Sequence, residues 1–115
     1  MIRRKEDLVT VSKNIQGGNG EVQVTELLER EEFCGKGRLF SKMVLKPGNS
    51  VGNHVHAGDF EAFYIIKGEG KLIDNGEETR LYPGDVALTN DGEGHEFIND
   101  TDEDLEFIAL ILYSK

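Results

Sequence analysis

The chain has 115 residues, which is enough for one domain with a modest hydrophobic core. Its 22 Asp and Glu residues against 13 Lys and Arg residues give a formal net charge of −9, a field that repels nucleic-acid phosphates and anionic lipid. We therefore expect neither nucleic acid nor a membrane as a partner, and no apolar run is long enough for a signal peptide or a membrane span. Cys34 is the only cysteine, so no internal disulfide can form and we expect a cytoplasmic protein.

Residues 1–20 are predicted to form an N-terminal arm, with packing on a partner subunit as one role for it. After the loop QGGNG, short runs rich in Val, Ile, Phe and Tyr predict strands. In chain order these runs are EVQVTELL, GRLFSKMVLK, EAFYIIKG, GKLID, EETRLY, DVALTN, HEFIN and DLEFIALILY. Strands this short and regularly spaced indicate an antiparallel sandwich or a closed barrel.

Local signals refine this prediction at two places. Asn75-Gly76 separates GKLID from EETRLY and is a strong hairpin signal, because both residues tolerate the positive φ of a type I′ turn. ELLEREEF is the one stretch that fits a turn or two of helix, and it fits a strand end with a charged loop equally well.

Two predicted strands are apolar on both faces. In EAFYIIK, Phe63 and Ile65 share the face of Glu61, while Tyr64 and Ile66 point the other way. The last strand, over residues 105–112, is apolar on both sides as well. Such strands need two covers: one is the barrel interior, and the other is the arm or a partner subunit. We favour a homodimer.

The three histidines of the chain are candidates for metal binding. His54 and His56 are spaced by two and project from the same face of a strand, and Glu61 opens the next strand. His95 begins a remote strand, which allows it to reach the same site. Neutral imidazoles with one carboxylate suit one divalent transition metal ion, with Mn, Fe, Co, Ni, Cu and Zn all chemically suitable.

Two motifs carry a family resemblance. The pattern Gly48-x5-His54-x-His56-x4-Glu61-x6-Gly68 resembles the first motif of the cupin superfamily at every position. The pattern Gly84-x5-Asn90-x-Gly92-x2-His95-x3-Asn99 resembles the second, with one departure: Asn90 stands where the family usually has proline.

The resemblance implies a fold and a ligand set. It implies an all-β, single-domain, double-stranded β-helix (jelly-roll) barrel, a cupin barrel over residues 21–115. It also implies that His54, His56, Glu61 and His95 bind the metal ion in the barrel mouth. Four protein ligands on an octahedral ion leave two positions for water or a bidentate substrate.

Other polar residues are given lesser roles. Asp59 is a possible competitor of Glu61 for the metal, or a possible general base, but it is interpreted as a solvated loop carboxylate. In RLFSKMVLK, alternation predicts that Leu39, Ser41, Met43 and Leu45 line the barrel. The same alternation turns Arg38, Phe40 and Lys42 outward, so the interior is expected to lack an arginine that clamps an anion. The substrate-pocket candidates are Met43, Phe63 and Ser41.

The leading functional hypothesis is a metal-dependent enzyme that acts on a small molecule in the barrel mouth. Similar small cupins include dioxygenases, decarboxylases, isomerases and lyases, and the motifs identify the metal ligands while leaving the reaction open. The alternative is a non-catalytic cupin that binds or senses a metal or a small molecule. The chain has no helix-turn-helix, so a transcriptional role would require a separate partner.

Overall fold

A computed structural model describes residues 1–115, which form ten β-strands and two short 3₁₀ helices. The helices span Lys5–Asp7 and Arg30–Phe33, and no helix is long and apolar enough to cross a membrane. The strands are β1 (Thr10–Lys13), β2 (Val22–Glu26), β3 (Gly37–Leu45), β4 (Ser50–Val55), β5 (Asp59–Lys67), β6 (Gly70–Asp74), β7 (Glu77–Leu81), β8 (Val86–Thr89), β9 (Gly94–Ile98) and β10 (Leu105–Tyr113). All eight predicted runs are strands, and β1 and β4 are additional.

The strands form two antiparallel sheets. One sheet has six strands in the order β1-β2-β3-β10-β5-β8, and the other has four in the order β4-β9-β6-β7. Every pair of neighbours is antiparallel, and several neighbours are remote in sequence, as in β4 with β9. This arrangement confirms the predicted all-β, double-stranded β-helix barrel.

The core lies between the inner faces of the two sheets. Phe63 on β5, Phe97 on β9 and Phe107 on β10 are each at most 2% exposed, and their ring centroids are 4.9–5.4 Å apart. Phe97 belongs to the four-stranded sheet and the other two rings to the six-stranded sheet, so this cluster joins the sheets. The alternation predicted for β5 is confirmed, since Ile65 is fully buried and Tyr64 is half exposed.

The β6–β7 hairpin turns at the predicted pair. Asn75 has φ of 51° and Gly76 has φ of 89°. Positive φ at both central residues is the type I′ conformation, whose twist matches that of the flanking strands. The turn prediction is therefore confirmed.

The N-terminal residues lie against the barrel of their own chain. β1 extends the six-stranded sheet by pairing with β2, and the segment after β1 crosses β4. The Gly52 amide donates to the Ile15 carbonyl at 3.0 Å, and the Ser50 amide donates to the Asn19 carbonyl at 2.8 Å. A Cβ at Gly52 would lie 2.1 Å from the Gln16 carbonyl oxygen, so the crossing requires glycine there. Packing of the arm on a partner subunit stays a prediction.

Candidate metal centre

The strand that carries His54 changes its register just before that residue. Val51 pairs with Phe97 on β9, whereas His54 pairs with His95, so β4 has one extra residue between these two pairs. Simple alternation would turn His54 away from the face of Val51. The extra residue reverses the alternation, and both side chains line the interior of the barrel. The bulge between Val51 and His54 therefore aims His54 inward.

Four side chains meet at one point in the barrel mouth. The Nε2 atom of His95 lies 3.1 Å from Nε2 of His54, 3.3 Å from Nε2 of His56 and 3.0 Å from Oε1 of Glu61. Nε2 of His56 lies 3.1 Å from the same Oε1. All four ligand atoms lie within 4.8 Å of one another. Three of the residues are buried and His54 is half-buried.

These distances match the spacing of ligands around a metal ion. Bonds of about 2.1 Å to a divalent ion put neighbouring ligand atoms about 3.0 Å apart in an octahedron and about 3.4 Å apart in a tetrahedron. Four of the six separations, at 3.0–3.3 Å, fall in that interval, and the other two pairs of atoms lie within 4.8 Å of each other. Lone pairs of several imidazoles at this distance repel one another unless a cation or a proton lies among them. The donor set therefore fits one divalent transition metal ion.

The other nitrogen of each imidazole has its own partner. The Nδ1 contacts are His54 with the Gly52 carbonyl at 2.7 Å, His56 with Asp59 Oδ1 at 2.6 Å, and His95 with Thr89 Oγ1 at 2.7 Å. A carbonyl and a carboxylate can only accept, so Nδ1 of His54 and of His56 carries the proton. In the neutral ring this leaves the Nε2 lone pair free and directed to the centre, which is how ligating histidines are oriented.

The carboxylate of the cluster is ionised at neutral pH. Burial by itself raises the pKa of Glu61, but the hydrogen bonds to His56 and His95 outweigh burial and hold that pKa below its ordinary value. The hydrogen bond to Glu61 raises the pKa of His56, with burial opposing it and Asp59 adding to it. Burial lowers the pKa of His54, which favours the neutral ring. A proton therefore competes with a metal ion more strongly for Nε2 of His56 than for Nε2 of His54.

The interpretation of Asp59 as a solvated loop carboxylate is wrong. Asp59 is the first residue of β5 and is 6% exposed. Its carboxylate accepts from Nδ1 of His56 and, at 2.9 Å, from Nε of Arg38. Burial raises the pKa of Asp59, and these two hydrogen bonds more than offset that effect. The sequence signal was present, because Asp59 is two residues before Glu61 and shares its inward face.

The outward placement of Arg38 is also wrong. Ile111 on β10 pairs with Leu39, but Leu112 pairs with Gly37, so Arg38 is the extra residue of a bulge. A bulge re-aims the side chain that it carries. Arg38 consequently lines the cavity beside the cluster instead of following the alternation of β3. The expectation that no arginine reaches the interior fails for this reason.

A cavity of about 280 Å³ opens next to the four-residue cluster. Met43 and Phe63, two predicted pocket residues, line it together with Glu61. The third, Ser41, is fully buried, has no hydrogen-bond partner for its hydroxyl and lies outside the cavity wall. The arm supplies part of the wall through residues 13–16, a contribution that the sequence did not indicate.

Asn90 occupies the position at which the family motif usually has proline. Its backbone amide donates to Oε1 of Glu93 at 2.9 Å, a bond that proline cannot make. The Glu93 amide donates back to the Asn90 carbonyl at 3.0 Å, and the Glu93 carbonyl accepts from the amide of His56. The two hydrogen bonds between Asn90 and Glu93 thus close the turn, and the turn binds the backbone of the metal-cluster residue His56.

The comparisons with known proteins agree with the fold. The Cupin domain family matches residues 41–111, and the chain belongs to the cupin family. An oxalate-binding protein of Thermotoga maritima is 44% identical over 112 residues, which cover 97% of this chain and 93% of that protein. The crystal structure of a Thermotoga maritima protein described as a predicted oxalate decarboxylase matches with a TM-score of 0.93 and 42% identity, covering 98% of this chain and 99% of that one.

A more distant structure shares the fold alone. A polyketide cyclase from Streptomyces resistomycificus matches with a TM-score of 0.80 at 18% identity, covering 100% of this chain and 81% of that chain. Proteins of this fold host unrelated reactions, so the function must be argued from the site.

Proposed function

We propose that the protein binds one divalent transition metal ion through His54, His56, Glu61 and His95, and that a small carboxylate binds beside the ion in the cavity. The convergence of the four ligand atoms supports the metal site. Oxalate is the carboxylate that we propose, because the name of the Thermotoga maritima relative refers to it. Binding of oxalate to the metal-loaded protein, measured by calorimetry, tests this proposal, and no heat of binding at millimolar oxalate would contradict it.

The cavity and the cluster are continuous, which supports direct contact between ligand and ion. His54 and Glu61 belong to the cluster and also line the cavity. A bound ion supplies a Lewis acid that polarises an oxygen of the ligand. The residues of the chain do the rest: three anchored imidazoles keep the ligand atoms in place, and apolar walls at Met43 and Phe63 exclude water.

We further propose that the bound carboxylate is the substrate of a metal-dependent reaction, and decarboxylation is the first one to test. Decarboxylation of oxalate breaks the carbon–carbon bond, releases carbon dioxide and leaves the bonding electron pair on the second carbon, which takes up one proton from water to give formate. The alternative is a non-catalytic binder or sensor, and one observation favours it: Glu61 is the only carboxylate on the cavity wall, and it belongs to the cluster. Formate release from oxalate supports the enzyme, whereas binding without turnover supports the binder.

Metal affinity is expected to fall as the pH falls. The pKa of His56 is raised above 6.5, so a proton begins to displace the metal ion from this ring at a pH above the ordinary imidazole value. Glu61, whose pKa is lowered, stays ionised over the same range. Affinity should therefore weaken as the pH falls from neutral to about 5. Titrations with Mn²⁺ or Zn²⁺ at several pH values measure this, and a constant Kd would contradict it.

We also propose a homodimer, formed through the outer face of the six-stranded sheet. On this face β5 pairs with β8, so that Tyr64 lies beside Val86 and Ala62 beside Leu88. Tyr64, Val86 and Leu88 are each at least 50% exposed. Burying such a patch against a second copy of itself removes apolar area from water.

The dimer is tested by light scattering. We expect the mass of two chains for the native protein and of one chain for Leu88→Glu, which puts a charge into the patch. Thr79→Glu, on the exposed strand β7 of the other sheet, serves as the control and should stay dimeric. A monomer mass for the native protein would contradict the proposal.

A cytoplasmic location and a small-molecule partner, with no role for nucleic acid, complete the proposal. Cys34 is exposed and unpaired, which suits a reducing compartment. The net charge of −9 disfavours contact with phosphate backbones.

A further inference from the structure

Two positively charged side chains line the cavity. Lys13, at the end of β1, and Arg38, at the bulge of β3, both line it. Apart from the cluster residues His54 and Glu61, they are the only ionisable groups of the wall. In a chain with 22 acidic residues and 13 basic ones, a wall on which both charged residues outside the cluster are positive is unexpected by composition.

The guanidinium of Arg38 is held in place by one of its nitrogens. Nε donates to Oδ2 of Asp59 at 2.9 Å, and the other oxygen of that carboxylate accepts from Nδ1 of His56. Nη1 and Nη2 of Arg38 have no hydrogen-bond partner in the protein. Asp59 is 6% exposed, so it is a rigid anchor, while the Arg38 side chain is 38% exposed and reachable from the cavity. Two donors of a fixed planar group are thus available to a ligand.

The charges around the cavity favour a dianion. The carboxylates of Glu61 and Asp59 balance the charges of Arg38 and Lys13, which leaves the charge of a divalent ion uncompensated. A monoanion neutralises half of that charge, and a dianion neutralises all of it. A planar guanidinium also matches a carboxylate geometrically, because it offers parallel N–H donors.

We propose that Arg38, assisted by Lys13, binds an anionic oxygen of the ligand and makes the cavity select dicarboxylates over monocarboxylates, with Asp59 as the positioning residue for Arg38. This inference rests on the proposed function, since it assigns a specificity residue to the same cavity. The ligand class is a small dianion that contacts the metal ion on one side and the guanidinium on the other.

The test compares two probes of nearly equal shape on Mn²⁺-loaded protein. Oxalate carries two carboxylates, whereas oxamate carries one carboxylate and one neutral amide. Calorimetry on the native protein should give affinity for oxalate about tenfold higher than for oxamate. Arg38→Gln should weaken oxalate binding about tenfold or more and bring the two affinities close together, with an unchanged Mn²⁺ content by elemental analysis. Arg38→Lys, which retains the charge, should recover part of the preference.

Lys42→Gln is the matched control. Lys42 is on the same strand, pairs with Glu106 and is not part of the cavity wall, so the variant changes the net charge of the protein equally without changing the site. Its oxalate affinity should stay within about twofold of the native value. The inference would be overturned if Lys42→Gln and Arg38→Gln lost oxalate affinity equally, or if Arg38→Gln kept the full preference for oxalate over oxamate. Either result would leave the proposed metal site and oxalate binding intact. A native protein that binds neither Mn²⁺ nor oxalate would instead overturn the proposed function, and the inference with it.

Discussion

The substitution His95→Ala is expected to reduce the bound metal from about one ion per chain to a small fraction of that value. His95 contributes the nitrogen that lies within 3.0–3.3 Å of all three other ligand atoms, so its removal opens the centre of the cluster. Three ligands would remain: His54 and His56 keep their Nδ1 partners, and Glu61 keeps its contact with His56, so the barrel itself should fold. Elemental analysis of protein purified without chelators measures the stoichiometry.

Two further variants make this prediction specific. Glu61→Gln preserves shape but removes the only negative charge among the ligands, and it should lose metal as well. Glu96→Gln is the control: Glu96 is adjacent to His95 on β9 but is not part of the cluster, and this variant should retain full occupancy. Native metal content in both His95→Ala and Glu61→Gln would contradict the ligand assignment.

Phe97→Ala is expected to destabilise the protein by about 3–5 kcal/mol. The Phe97 ring is completely buried and packs against Phe63 at 5.4 Å and Phe107 at 5.0 Å between centroids. Phe97 is the only ring that the four-stranded sheet contributes to the cluster of three phenylalanines, so its loss leaves a cavity between the sheets. Chemical denaturation followed by circular dichroism measures the change in the free energy of unfolding.

The same substitution should also affect the metal centre. Phe63 stacks on His95 with ring centroids 5.1 Å apart and an interplanar angle of 14°, and it also packs against Phe97 and Phe107. Removing Phe97 loosens Phe63 and thereby the ring of His95, so metal affinity should fall along with stability. Ile98→Ala, one residue along β9 on the opposite face, is the control and should cost much less. A loss below about 1 kcal/mol for Phe97→Ala would contradict this account of the core.

The sequence predicted the parts of the site that depend on alternation within a single strand. Glu61, Phe63 and Ile65 share one face of β5, and the structure buries all three. The hairpin at Asn75-Gly76 was equally local, because two adjacent residues with positive φ determine it. The two cupin motifs brought the remote His95 into the same prediction, and the structure places it in the cluster.

The error at Arg38 arose where a strand gains a residue. The bulge at Arg38 and the register change before His54 both interrupt the period of two. Such a change depends on pairing with a distant strand, β10 in one case and β9 in the other, so the local sequence does not reveal it. The list of predicted strand runs left out β4, although His54 was expected to lie on a strand, because Gly52 and Asn53 interrupt its run of strand-forming residues.

The contribution of the N-terminal arm to the cavity wall could not be predicted from the sequence, for a different reason. Residues 13–16 reach the cavity through backbone contacts, such as the bond from the Gly52 amide to the Ile15 carbonyl. Backbone hydrogen bonds carry no sequence signature beyond the glycine that permits the close approach. Gly52 therefore has two roles, since its amide anchors the arm and its carbonyl accepts from Nδ1 of His54.

Anomalous diffraction at the absorption edge of the bound metal tests the central claim most directly. Crystals of protein purified without chelators should show one anomalous peak per chain, about 2.0–2.3 Å from Nε2 of each of the three histidines and from Oε1 of the glutamate. The account predicts that a single cation occupies the point where those atoms converge. A peak bound elsewhere, or none at that point in crystals grown with excess Mn²⁺ or Zn²⁺, would contradict it.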